Sequence, residues 1–185
     1  MIELRSATDG TVPRWGTTVR VGWNRLGLFV RFECRDDHAW STYTERDEPL
    51  WKEEVVEVFL APGREEPPEY AEVEVSPRGV LFDAWISNPD GLRETMKTDV
   101  TWNWPGIAWR AGRLPEHEDW WAELDLPWAG LGLDKAPTFL RANFLRVERP
   151  KDGVDEYSAW SPTFADPPNF HIPERFGLLR IDGHL

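Results

Sequence analysis

Apolar and polar residues alternate along most of the chain, which is the pattern expected of half-buried β-strands. In "TTVRVGW", for example, Val19, Val21 and Trp23 alternate with Thr18 and Arg20. Alternating or short apolar segments predict strands over 17–23, 26–36, 54–61, 70–76, 79–86, 106–111, 119–126, 139–148 and 176–182. Turn clusters such as "NPDG" separate these segments, and only "PWAGLG" is typical of a short helical turn.

About nine or ten short strands without helical crossovers predict an all-β fold, an antiparallel β-sandwich of two sheets. The 185 residues suit one domain with one sizeable core. Prolines and glycines are scattered and form no linker, so we interpret residues 1–185 as a single domain.

Net charge restricts the class of partner. The formal charge of −12 argues against binding to nucleic acid or to anionic membrane surfaces, both of which attract Lys and Arg. It is compatible with a neutral ligand or a cation, and solubility alone would also explain it. No segment approaches the roughly 20 apolar residues that span a bilayer.

Two features bear on the cellular compartment. Cys34 is the single cysteine, so an intramolecular disulfide is excluded, and its place in an alternating strand predicts a core residue. The N-terminus "MIELRSATDG" lacks the basic and apolar regions of a signal peptide. We therefore expect a cytoplasmic protein as the sequence stands, or a secreted one if a signal was removed beforehand.

The segment "DEPLWKEEVVEVFLAP" contains an unusual glutamate. Glu57 shares a strand face with Val55 and Phe59, where a carboxylate is costly unless it has a partner. If 54–61 and 70–76 form a hairpin, Glu57 faces Glu72 or Glu74, and facing like charges destabilise a strand pair.

An arginine, a metal ion or the hydroxyls of a ligand would offset these charges. The alternative is an ordinary solvated outer face, with Arg78 or Arg141 nearby.

Tryptophan is unusually frequent, with 12 residues against 9 Phe and 3 Tyr. Four lie inside strand patterns and are predicted to fill the core: Trp23, Trp85, Trp109 and Trp121. Three others lie in polar or proline-rich surroundings, where a ring can present a flat face to solvent: Trp51, Trp104 and Trp160. Flat rings next to fixed polar groups suit sugars, whose ring C–H faces are apolar and whose hydroxyls lie at the edge.

Several segments resemble the family 9 carbohydrate-binding modules and related single-domain proteins. They are "DEPLWKEEVVEVFLAP", "EYSAWSPTF" with "NFHIPERFGLLRI", "VRVGWNRLGLFVRFECRD", "WWAELDLPWAGL" and "RANFLRVER". The resemblance extends from about residue 17 to residue 182 and implies a β-sandwich that binds a saccharide without catalysis.

The resemblance also implies a site. A terminal sugar would lie between two aromatic rings, which match Trp51 and Phe170, with Glu57 and Glu74 accepting hydrogen bonds from hydroxyls. Glu72, Glu74 and Ser76 match family positions that usually carry Gln, Arg and Asn, so Glu74 reverses a charge.

Further candidates lie on neighbouring segments. Arg141 and Asn143 alternate on one strand face and could balance the carboxylates, and His171 lies beside the presumed ligand loop. The family also binds structural calcium through acidic loops, and Asp36 and Asp37 could supply oxygen ligands. Salt-bridged aspartates are the alternative, and no cofactor is otherwise required.

Three other functions remain open. Related sandwiches bind haem, for which the axial ligand candidates are Met96, His38, His117 and His171. A glycosidase would need a carboxylate pair, which Glu57, Glu72 and Glu74 could supply, although no other catalytic motif is present. Finally, the sandwich could serve as an interaction domain that has lost sugar binding.

Overall fold

The computed structural model describes residues 1–115 and 118–181 and consists of two antiparallel sheets. Its strands are β1 (Ile2–Glu3), β2 (Arg5–Ser6), β3 (Thr17–Trp23), β4 (Gly27–Cys34), β5 (Val55–Pro62), β6 (Glu69–Val75), β7 (Leu81–Ser87), β8 (Lys97–Asp99), β9 (Ala108–Arg113), β10 (Trp120–Pro127), β11 (Phe139–Glu148), β12 (Glu156–Ala159) and β13 (Gly177–Arg180). Short 3₁₀ helices span Leu50–Lys52, Trp128–Leu131 and Pro173–Arg175. The predicted fold class is therefore confirmed.

The smaller sheet has five strands in the order β1-β3-β4-β10-β9. The larger one has eight, in the order β2-β12-β11-β5-β6-β7-β8, with β13 also paired to β11. Among the described residues, no helix is both long and apolar enough to cross a membrane.

All nine predicted strands are present, although residue 182 of the last prediction lies outside the described residues. The sequence did not predict β1, β2, β8 and β12. Each of these is two to four residues long, which is too short to display a periodic pattern.

The main core lies between the sheets, and a second apolar layer covers the outer face of the larger sheet. On β5, Val56, Val58 and Leu60 belong to the core. Val55 and Phe59 belong to the outer layer, together with residues from β6, β7, β11 and the 160–176 segment. Glu57 alternates with the core residues and therefore lies in the outer layer, as its pattern predicted.

Three of the tryptophan predictions were wrong. Trp104 is only 2% exposed, and its indole N–H donates to the carbonyl of Pro127. It packs against Gly130, where any Cβ would approach the indole to 2.0 Å. Trp160 also packs against the core, whereas Trp109 is 36% exposed on β9, an edge strand of the smaller sheet.

A buried arginine joins β11 to the loop after β4. The Arg146 guanidinium donates to Asp36 Oδ2 at 2.9 Å, to the Arg35 carbonyl at 2.8 Å and to Glu148. Glu54 lies within 4.8 Å of the same carboxylates. Burial raises the pKa of Glu54 to about 9 and that of Glu148 to about 8, and neighbouring acids add to both shifts. One cation cannot balance three acids, so protonation removes part of the negative charge.

We expect Arg146→Ala to lower the free energy of unfolding by about 3–5 kcal/mol, because it leaves buried carboxylates without their cation. Denaturant unfolding would measure the change. The matched control is Arg110→Ala: Arg110 pairs with Glu123, but its side chain is 72% exposed, so the loss should stay below about 1 kcal/mol. Equal losses in the two variants would contradict a structural role for the buried cluster.

Candidate functional site

A cavity of about 280 Å³ opens on the outer face of the larger sheet. Carboxylates from β5 and β6 form part of its floor, and aromatic side chains from the sheet and the covering segments form its walls. The residues that define it include Trp51, Glu57, Glu72, Phe82, Phe170 and His171.

The strand register brings three glutamates together on this face. Glu57 of β5 pairs with Glu74 of β6. Two residues further along β5, on the same face, Phe59 pairs with Glu72. The three carboxylates offer oxygens within 4.8 Å of one another, and the residues are only 3%, 5% and 0% exposed. The predicted hairpin register is confirmed, and the alternative of a solvated outer face is wrong.

Burial of the three acids sets their protonation. Burial and the nearby Glu72 raise the pKa of Glu57 well above its usual range, and burial raises the pKa of Glu72 to about 7. Glu74 is raised well above the ordinary carboxyl pKa by burial and by both neighbours. The floor therefore holds protons at neutral pH, since nearby like charges disfavour ionisation.

Trp51 forms one wall of the cavity from the 3₁₀ helix Leu50–Lys52. Leu50 is fully buried and anchors this turn, whereas Trp51 is 40% exposed. The indole packs edge-on against Phe82, with 5.2 Å between ring centroids. The Trp51 backbone amide is close enough to lower the pKa of Glu74 but is not in hydrogen-bonding geometry with it, so the turn lies over the glutamates.

Phe170 and His171 form another part of the cavity lining. Phe170 lines the same cavity as Trp51 but is only 7% exposed and packs edge-on against Tyr157. His171 stacks on Phe59 at 5.0 Å, and its carbonyl accepts a hydrogen bond from Asn88. The fold thus brings the two predicted aromatic residues to one cavity.

Both nitrogens of the His171 ring face protein groups. Nδ1 lies 2.8 Å from the Tyr70 hydroxyl, and Nε2 lies 3.9 Å from Glu72 Oε1. Burial lowers the pKa of His171 to about 4, so the ring is neutral near pH 7. These contacts favour Tyr70 and Glu72 as its partners rather than a haem iron.

Of the other haem candidates, Met96 lines the same cavity as His171. The backbone amide of His38 donates to Asp36 Oδ1, and His38 does not line this cavity. His117 lies outside the described residues.

Arg141 and Asn143 do not balance the glutamates. The Arg141 guanidinium donates to the backbone carbonyls of Arg64 and Phe176, and Asn143 bonds to the backbone of Ser161. Neither lines the cavity. Their strand face was predicted correctly, but the nearby backbone groups take up their polar atoms, which the sequence pattern did not indicate.

Asp36 and Asp37, the predicted calcium ligands, lie in different surroundings. Asp36 Oδ2 accepts from Arg146, and Oδ1 accepts from the His38 amide, whereas Asp37 is exposed. A calcium ion here would have to displace an arginine that already compensates the charge. Asp36 therefore fits the salt-bridge alternative, and calcium binding stays a prediction.

The cavity-lining residues that the sequence did not predict include Phe82, Tyr157 and Arg149. Phe82 could have been found, because it pairs with Glu74 in the β6–β7 register and therefore shares its face. Tyr157 lies on the short strand β12, and Arg149 follows β11, where no periodic signal exists.

Comparison with known proteins gave a relative and several similar folds. No family model matches the chain. An Arthroderma benhamiae protein named "Extracellular protein" is 26% identical over 171 residues, which cover 86% of this chain and 76% of that protein.

Three solved structures share the fold. A Bacteroides uniformis protein described as a candidate carbohydrate-binding protein aligns with a TM-score of 0.76 at 16% identity, covering 98% of this chain and 87% of that one. A family 9 carbohydrate-binding module from Caldicellulosiruptor kristjanssonii in complex with glucose aligns at 0.63 and 14% identity, covering 100% and 86%. The cellotriose complex of a family 9 module from the same organism aligns with a TM-score of 0.64 at 14% identity, covering 98% of this chain and 82% of that one. The chain therefore has a family 9-like fold.

We expect stability to fall as pH rises from about 6 to 9. Unfolded glutamates titrate near pH 4.3, whereas the buried ones titrate higher, so the folded state binds more protons across this range and its free energy of unfolding decreases. His171 acts oppositely, since its lowered pKa adds stability as pH rises from about 4 to 6.5.

Denaturant unfolding at several pH values would test this. Each buried carboxyl contributes a slope of at most about 1.4 kcal/mol per pH unit. Glu57→Gln should therefore flatten the decline, whereas Glu66→Gln, at an exposed loop position, should leave it unchanged. Stability that rises between pH 7 and 9 would contradict the assignment.

Proposed function

We propose that this protein binds a saccharide without catalysis in the cavity beneath Trp51. The observation that carries the proposal is one pocket with a part-exposed indole on its wall and acidic oxygens on its floor. Aromatic rings cover the C–H face of a sugar, and the few fixed polar groups of such pockets provide orientation.

Both parts are needed on energetic grounds. Two rings covering about 100 Å² of sugar contribute about 2.5 kcal/mol. Millimolar affinity already requires about 4 kcal/mol. Hydrogen bonds to the carboxyl groups, at about 1.5–3 kcal/mol each when charged, would supply the remainder.

The solved structures with this fold support the same class of ligand. One is described as a candidate carbohydrate-binding protein, and another is a binding module in complex with glucose and with cellotriose. The fungal relative is named an extracellular protein, which supports an extracellular setting over the cytoplasmic one.

A glycosidase is less well supported. Its two carboxyl groups stand on either side of the scissile bond, about 5 Å apart or more. Here Glu57, Glu72 and Glu74 come from adjacent strands of one sheet face, with oxygens within 4.8 Å of one another. A floor of this kind suits recognition of one end of a ligand.

Trp51→Ala should weaken binding of cellotriose, or of the best ligand on a glycan array, at least about tenfold, since half of the aromatic contact is lost. The free energy of unfolding should change by about 1 kcal/mol or less, because the ring is already part-exposed. Titration calorimetry and thermal unfolding measure the two effects.

The matched control is Trp109→Ala, which removes an indole of similar exposure from the other sheet. It should leave glycan affinity unchanged. A large stability loss in Trp51→Ala, or equal effects of both variants on binding, would contradict the proposal.

The noncatalytic assignment has its own test. Prolonged incubation with the bound oligosaccharide should release no new reducing ends, as measured by a colorimetric assay. Release that is lost in Glu57→Gln and retained in Trp51→Ala would instead identify an enzyme.

A further inference from the structure

The floor of the cavity contains more hydrogen-bond acceptors than the described residues satisfy. The buried Glu74 has no donor in good hydrogen-bonding geometry, and its side-chain partner is another acid, Glu72. No described donor is bonded to Glu57. Glu72 has one basic neighbour, His171, with its Nε2 at 3.9 Å. That imidazole is neutral near pH 7, so none of the three acids has a charged partner on the floor.

The chain contains a second buried acidic cluster, which provides an internal comparison. Asp36, Glu54 and Glu148 also lie within 4.8 Å of one another, but Arg146 lies among them and donates to two of the three. Among the described residues, the fold thus supplies a cation to the first cluster and none to the cluster beneath the cavity, whose charge is lowered by protonation instead. A positive group from a ligand could take the place of such a proton.

The walls indicate that this group belongs to an organic ligand. Trp51, Phe82, Tyr157 and Phe170 surround the space above Glu57 with aromatic carbon. A bare metal ion gains nothing from contact with aromatic carbon, whereas a sugar ring packs its C–H groups against it. The volume of about 280 Å³ is at the lower end of the range for small-molecule pockets and suits a single sugar unit.

We propose that the cavity selects a sugar that carries a protonated amine, such as a glucosamine unit, whose ammonium group binds Glu57 and Glu72. The inference rests on the proposed function, because it names the class of saccharide that the same site takes.

The chemistry of the amine matches the floor. An ammonium group has three N–H donors and no acceptor, whereas the floor offers carboxyl oxygens and few donors. Hydrogen bonds between charged partners are about twice as strong as neutral ones. Glu74 lies behind the two cavity-lining acids and holds its proton, since its pKa is raised by burial and by Glu57 and Glu72.

Two arginines also line the cavity, and their charges act on the same ligand. Arg149 is paired with Asp155 and donates to the Trp51 carbonyl, so its charge is largely compensated. Arg93 is exposed and lowers the pKa of His171. Water screens an exposed charge. Arg93 therefore opposes a bound ammonium less than the buried acids attract it once the ammonium has displaced a proton from them.

Three β-1,4-linked trisaccharides that differ only at carbon 2 would test the inference. They are the glucosamine trimer (ammonium), the N-acetylglucosamine trimer (neutral amide) and cellotriose (hydroxyl). At about pH 6 the glucosamine trimer should bind at least about tenfold more tightly than either of the others in titration calorimetry. Binding should also release protons, detected by comparing buffers of different ionisation enthalpy.

Charge-removing variants locate the effect. Glu57→Gln and Glu72→Gln should each reduce the ratio of glucosamine-trimer affinity to cellotriose affinity about tenfold or more, because an amide cannot form a charged pair with the ammonium group. Glu66→Gln removes one exposed acid and serves as the control for net charge. Thermal unfolding checks that each variant is folded, and two variants at separate positions guard against the failure of one.

The outcomes separate this inference from the proposed function. Equal, Trp51-dependent affinity for all three trimers would overturn amine selectivity and leave saccharide binding intact. If the protein binds none of the three trimers and no glycan on an array, both the inference and the proposed function are overturned. Binding that disappears after EDTA treatment and returns with a divalent metal would show that a metal ion occupies the glutamates, and it would overturn the ammonium assignment.

Discussion

The pairing of Glu57 with Glu74 across two central strands is the constraint from which the rest of the site follows. Antiparallel register makes the two carboxyls neighbours, and Glu72 joins them from the next position on the same face. Like charges that face each other in a sheet are destabilising, and burial increases that cost. The three glutamates lie beneath the outer apolar layer of the larger sheet, and protonation removes part of their charge.

Such a floor costs stability, and the surrounding layer offsets it. Phe59, Tyr70 and Phe176 contact one another, and His171 stacks onto Phe59. This aromatic layer holds the 160–176 segment against the sheet, so the segment that encloses the cavity is fixed by packing outside the main core. The packing that fixes this segment and the cavity therefore lie on the same outer face.

The two buried acidic clusters show how one sheet separates structure from function. Arg146 points toward the other sheet, bonds to Glu148 on its own strand and connects β11 to Asp36. On the opposite face of the larger sheet, Glu57 and Glu72 line an open cavity. A cation within the chain compensates the first cluster, whereas none among the described residues does so in the second, and this difference is the basis of the ligand proposal.

Alternation by itself determined the sandwich, because a period of two assigns each residue of a long strand to one face. It also placed Glu57 correctly and paired the hairpin that carries Glu74. Strands of two to four residues were missed, since no period is visible over that length. Only the tertiary structure decided which tryptophan is exposed, because the environment of Trp51 and Trp104 depends on segments distant in sequence. The same holds for Arg141, which lies on the predicted strand face but donates to backbone carbonyls of other segments. A pattern along one strand could not show that Arg141 does not compensate the charge of the glutamates, because its partners are distant in sequence.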